Sequence, residues 1–344
     1  MRLDREGAPR IALVKLSSLG DVVHALPAAH ALRTWWPRAE LTWVVERRER
    51  AILLDNPDLD HVVDVDTRLW RREFRRPGGA AAVAVRVRGL VRRLRAGRFD
   101  VAVDLQGLWK SGVITALTRA PLRLGLAAGS CRERANVCFT NRRVRPDPAA
   151  HVVDQYRAVV SGLGVDLAAV GPVVFPIPAD PAAERAVAAW LEDQGVKPTA
   201  PLVVLNPGSG GEGKRWALEA FRRLGEELAV RLEARVVVAW GPGEEPLARA
   251  IAHGMRTGAS VPPPTTIAEM IALFRRATLV VGGDTGPVHI AAALGGPTVG
   301  LYGPTSVRRN GPYGARAAAV ESPTGRMDGI SVERVLAVAQ RLLA

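Results

Sequence analysis

Short apolar runs recur along the chain, many rich in β-branched residues, and most end in a turn of glycine, hydroxyl or acidic residues. Stretches with helical spacing follow those turns. Strands are predicted at 10–16 (RIALVKL), 40–45, 61–66 and 99–105 (FDVAVDL), then at 201–205, 235–240, 277–281 and 298–303. Helices are predicted from the turn at 17–21 through 32, from 106–111 onward, and from 151 to 163. Further helices are predicted at 182–194, 218–232, 266–275, 289–294 and 332–343. Continuous apolar strands alternating with helices build parallel sheets covered on both faces, so the fold class is α/β.

Prolines thicken in GPVVFPIPADP and mark a linker at 172–182. It separates a Rossmann-like domain over 1–171 from a second over 183–325, with a terminal helical segment at 326–344. A chain of 344 residues can bury a core in each. Strand carboxyl ends in both halves carry polar turns, so a cleft between the domains is the expected site, with nucleotide chemistry on the second half.

Composition narrows the partners. Hydrophobic residues make up 48%, as in a globular protein, and the formal net charge of +13 calls for an anionic partner. Between Arg68 and Arg98 lie eleven arginines and one acid, Glu73. The first part (RLWRREFRR) is expected as a basic loop with helical tendency. Its arginines suit carboxylate or phosphate, and Trp70 and Phe74 either pack or enter lipid. No nucleic-acid-binding module accompanies the patch. Cys131 and Cys138, seven apart, form no metal pattern and read as reduced thiols of a cytosolic protein. The start, MRLDREGAPRIALV, lacks a signal-peptide core, and no apolar run reaches membrane-spanning length.

The turns carry the candidate chemistry. In VVGGDTGPVHIAAALGG a strand stops at two glycines, and Asp284, Thr285 and Gly286 lead into a helix bearing His289. Bare amides at a helix N-terminus accept a diphosphate, and Pro287 fits the first turn, where its missing N–H costs nothing. NPGSGGEGKRW is a second Gly-rich turn whose Lys214 and Arg215 can neutralise phosphate. No Ser or Thr follows Lys214, so it is not a P-loop. A carboxylate after the 235–240 strand, Glu244 or Glu245, suits ribose hydroxyls. In SSLGD, Asp21 falls in a first helical turn, where the dipole favours an acid with or without catalysis. Gln106 and Lys110 lie at the same sheet edge. His151 is expected to cap or pack, and Asp64-Val65-Asp66 is too short a motif to imply metal.

Together KLSSLGDVVHALPA, DLQGLWKS, HVVDQYR, NPGSGGEGKRW and GGDTGPVHIAAALGGPTVGLYGPT resemble the family nine glycosyltransferases, in particular those that place the first heptose on lipopolysaccharide. The resemblance spans nearly the whole chain, in order. It implies a GT-B fold of two facing Rossmann-like domains, with the final helix packing back on the first. It also implies inverting, metal-independent transfer of heptose from ADP-L-glycero-β-D-manno-heptose to Kdo of Kdo-lipid A, with no resident cofactor. Asp21 matches the catalytic base. Lys214 matches the cation at the donor phosphates, and Glu244 the ribose ligand, with Glu245 its competitor. Asp284, Thr285, Gly286 and His289 match the donor signature. Arg68, Arg71 and Arg72 match a mobile acceptor loop, and Arg132 another acceptor-side arginine. Gln106 and Lys110 join the acceptor side. The enzyme is expected in the cytoplasm, peripheral to the anionic inner membrane. The NPGSGGEGK turn departs from the enteric pattern. Alternatives are a second heptosyltransferase or another family member with a different acceptor. From another class, the alternative is a non-catalytic basic protein binding nucleic acid or membrane.

Overall fold

In the computed structural model, which describes residues 4–344, the chain divides into a first unit ending at Pro178 and a second from Ala179 to Ala344. The first is built on six strands: β1 (Arg10–Val14), β2 (Glu40–Glu46), β3 (His61–Val65), β4 (Val101–Asp104), β5 (Leu122–Leu126) and β6 (Arg142–Val144). All pair in parallel, in the order β3-β2-β1-β4-β5-β6. Central strands are apolar on both faces because helices cover both, and β4 is buried at every position. The helix Leu19–Trp35 lies almost wholly inside and packs on the helix Val152–Ser161. In the helix Gly79–Ala96 only Leu90 and Leu94 are buried; they join Val14, Val44 and Val65, while most of its arginines face outward.

The second unit holds β7 (Leu202–Asn206), β8 (Arg235–Val238), β9 (Leu279–Gly283), β10 (Thr298–Tyr302) and β11 (Ala317–Glu321). Their order is β11-β10-β9-β7-β8, again all parallel. Each sheet reverses its winding once, between β1 and β4 in the first and between β7 and β9 in the second. The connections leave in opposite directions there, opening a crevice at the strand carboxyl ends.

Two expectations change. The resemblance implies a terminal helix, Val332–Leu343, that packs back on the first domain. Instead its apolar face (Val332, Val335, Leu336, Ala339) lies in the core of the second unit with Val299, Leu301 and Val320. Burying such side chains yields about 1.5–3 kcal/mol each. The basic segment, expected as a loop with helical tendency, is a helix over Thr67–Phe74. Its start is set by Asp66, whose Oδ1 accepts from the Leu69 amide at 2.9 Å.

Candidate active site

In the first unit the cluster grows from the turn after β1. Lys15 and Leu16 are buried, and the Gln106 side-chain oxygen accepts from the amides of Leu16 (2.9 Å) and Ser17 (3.2 Å). Gln106 is thus a clamp on the turn. It is itself held by Asp104, a buried carboxylate that accepts from the amides of Gln106 and Gly107 and from Ser111 and Asn136. Burial outweighs those bonds and raises the Asp104 pKa. Asp21, in the first turn of the helix Leu19–Trp35, has its two oxygens in different company. Oδ2 accepts from the Ser18 amide (3.1 Å) and hydroxyl (3.0 Å), as expected of an acid that caps a helix. Oδ1 lies 3.4 Å from the Tyr156 hydroxyl and 3.6 Å from the Lys15 ammonium. Burial works to lower the Lys15 pKa, but Tyr156, Asp21 and Asp104 overcome it, and the ammonium stays charged.

The remaining predicted residues of this unit divide in two. Lys110 lies 3.1 Å from buried Glu46, which also accepts from the Thr67 amide and hydroxyl, so Lys110 stands beside the start of the basic helix. Arg68, Arg71, Arg72 and Arg132 are exposed and make no ion pair among the described residues. Asp64 pairs with Arg47 (2.9 Å) and Arg93 (3.6 Å), and Asp66 caps the basic helix. His151 caps its helix, its Nδ1 accepting from the Val153 amide at 3.2 Å.

In the second unit the cluster lies where β7 and β9 end. Asp284, nearly buried, has Oδ1 3.0 Å from Nε2 of buried His289 and Oδ2 3.6 Å from the Lys214 ammonium. Burial pushes its pKa up, yet His289, the Thr305 hydroxyl and Lys214 together hold it below the usual carboxylate range. Thr285 precedes the helix Gly286–Ala293, which takes Pro287 in its first turn. The Thr285 hydroxyl donates to the Gly283 carbonyl (3.2 Å) and accepts from the Asn206 side chain (3.3 Å). A Cβ at Gly282 would meet the Asn206 carbonyl at 2.7 Å, so only glycine lets the strands carrying both turns approach this closely. Glu244 ties the other two turns together, accepting from the amides of Ser209 (3.1 Å) and Gly241 (2.9 Å). Glu245 points elsewhere, into an exposed pair with Arg249.

Sequence reasoning missed Lys15, Tyr156 and Thr305. A lysine inside the apolar run RIALVKL was the available signal for the first. Tyr156 and Thr305 stand inside the motifs HVVDQYR and YGPT, but only folding brings them to these acids.

What the arrangement can do is plain from its parts. One unit offers an oriented carboxylate. The other offers a cation and amide-bearing turns suited to a phosphorylated leaving group. Solved structures share the architecture. A glycosyl transferase family 9 protein from Veillonella parvula aligns with TM-score 0.85 at 23% identity, over 99% of each chain. The E. coli heptosyltransferase WaaC, solved with ADP-2-deoxy-2-fluoro heptose, aligns with TM-score 0.79 at 26% identity, over 96% of this chain and 99% of that one. The fold is therefore GT-B, that of a two-domain glycosyltransferase. Residues 87–336 match the model of glycosyltransferase family 9 (heptosyltransferase), and the chain belongs to that family. Among curated relatives, lipopolysaccharide heptosyltransferase 1 of Pseudomonas aeruginosa is 31% identical over 309 residues, covering 89% of this chain and 81% of its own length.

Proposed function

We propose that this enzyme transfers heptose from ADP-L-glycero-β-D-manno-heptose to Kdo of Kdo-lipid A in the lipopolysaccharide inner core, with inversion and without a metal. The observation that carries the reading is the Lys214–Asp284–His289 cluster at the β7/β9 crevice, in a chain whose relatives bear the name lipopolysaccharide heptosyltransferase 1. In this mechanism Asp21 takes the proton of the Kdo hydroxyl as its oxygen bonds to the anomeric carbon. The bond from that carbon to the diphosphate breaks, and its electron pair leaves with ADP. Lys214 and the amides at 285 and 286 stabilise the charge that develops there, the work a metal ion does elsewhere. Asp284 addresses the heptose hydroxyls. Glu244 holds the ribose, its two amide bonds leaving lone pairs for hydroxyl donors. Arg68, Arg71, Arg72, Arg132 and Lys110 meet the acidic acceptor.

The acceptor is a lipid, and the basic helix Thr67–Phe74 suits its surroundings. Five arginines from Arg68 to Arg76 accompany Phe74, whose relative exposure is 66%. No helix of the described residues is long and apolar enough to cross a membrane. Contact with the cytoplasmic face of the inner membrane is then peripheral, through cations and one aromatic side chain.

Incubation with ADP-heptose and Kdo₂-lipid A, with and without EDTA, followed by mass spectrometry tests this directly. A product heavier by one heptosyl unit in both reactions is expected. No product from Kdo₂-lipid A, but transfer to an acceptor already bearing heptose, would replace the reading with that of a second heptosyltransferase.

A further inference from the structure

The mechanism leaves one buried charge without a task. Lys15 is only 2% exposed, yet a fully buried ammonium is costly and needs compensation. Its Nζ donates to the Tyr156 hydroxyl at 2.6 Å and sits 4.7 Å from the centre of that ring. The same hydroxyl reaches Asp21 Oδ1, and the ammonium itself is 3.6 Å from that oxygen. An apolar side chain of equal length would fill the space without the desolvation cost, so a stability role alone does not explain a lysine here.

We infer that Lys15 and Tyr156 are positioning residues for Asp21: the buried ammonium keeps the carboxylate ionised ahead of proton transfer, and the phenol hydroxyl fixes its orientation. This rests on the reading of Asp21 as the base. The chain runs from the end of β1 through the helix Val152–Ser161 to the first turn of the helix Leu19–Trp35, three elements that the fold of one unit locks together. Other titratable groups on the packed elements are Asp104 at the end of β4, Asp154 in the first turn of the helix Val152–Ser161, and His24 with His151. The two histidine rings meet edge to face at 5.4 Å.

The test uses Lys15→Met and Tyr156→Phe in the full-length enzyme, with two readouts. One is the pH profile of kcat/KM for sugar transfer. The other is an NMR titration of the Asp21 carboxyl carbon, assigned with Asp21→Asn, which needs no substrate. Lys15→Met is expected to move the acid limb and the NMR midpoint to higher pH by about one unit or more, as loss of an adjacent cation does. Tyr156→Phe keeps the ring and should shift both the same way by less. Midpoints unchanged in both variants would overturn the inference, whatever the plateau rates. If Lys15→Met fails to fold, Tyr156→Phe decides alone, by the same criterion. A wild-type enzyme inactive toward sugar acceptors would instead sink the reading of Asp21 as base, while the NMR arm still reports on the pairing.

Discussion

The two units carry the same ion pair turned inside out. Each places a lysine 3.6 Å from an aspartate at the point where its sheet reverses winding. In the first unit the lysine is buried and the acid is presented, with side-chain exposures of 2% and 31%; in the second the acid is covered and the lysine presented, at 11% and 40%. Distance alone would class the pairs together. Burial separates them, because it decides which member of each pair is the more open to solvent and which is held by its neighbours. In the proposed mechanism the more open member of each pair does the chemistry, a base from one unit and a cation from the other.

The most severe way to break this comparison is to remove the presented acid. Asp21→Ala should lower the turnover rate by roughly 10²–10⁴-fold while leaving ADP affinity intact. A variant that turns over normally in a steady-state assay would mean that the first unit presents no base. Removing the presented cation should act on binding instead. Lys214→Ala is expected to weaken ADP by about 10- to 100-fold, the range of a charge-assisted hydrogen bond. Unchanged calorimetric affinity would detach Lys214 from the donor phosphates.

The hidden acid should show itself in stability. The folded-state pKa of Asp284 lies below its ordinary value, so the fold favours the carboxylate. Its contribution is present above the ordinary range, about pH 4, and is lost as pH falls through the folded value. Asp284→Asn should thus cost about 1–3 kcal/mol at neutral pH. Melting curves of the two proteins should converge below about pH 4. A gap constant across that range would show that ionisation of Asp284 is not what the fold holds. The smallest effect belongs to Glu245, whose pair with Arg249 is exposed. Glu245→Ala should change stability by less than about 1 kcal/mol and leave ADP affinity alone, whereas Glu244→Ala should weaken it. Reversal of that order in a calorimetric comparison would reassign the ribose contact.

Much of the fold was readable because parallel strands buried on both faces must be apolar throughout. β1, β7 and β9 come close to such runs, and each stops at a turn with its own chemical mark. β5, β6 and β11 escaped notice. They are short, and LRLGL, RRV and AAAVE carry arginines, small residues or half-exposed positions in place of a continuous apolar face. The place of the last helix was also out of reach, since its amphipathic pattern states that one face is buried but not against which sheet.

The amino-acid order by itself determined the two β/α halves, the Gly-rich turns, the basic segment and the place of Asp21, Lys214 and Asp284 in the stretches that follow strands. These depend on local periodicity and on backbone freedom within a few residues. Only the tertiary structure decided which charge of each ion pair is hidden. It also set Tyr156 on Lys15 across 141 positions and placed the Gln106 side-chain oxygen on the amides of Leu16 and Ser17. Burial and long-range hydrogen bonding are properties of packed neighbours, and no stretch of chain contains its neighbours.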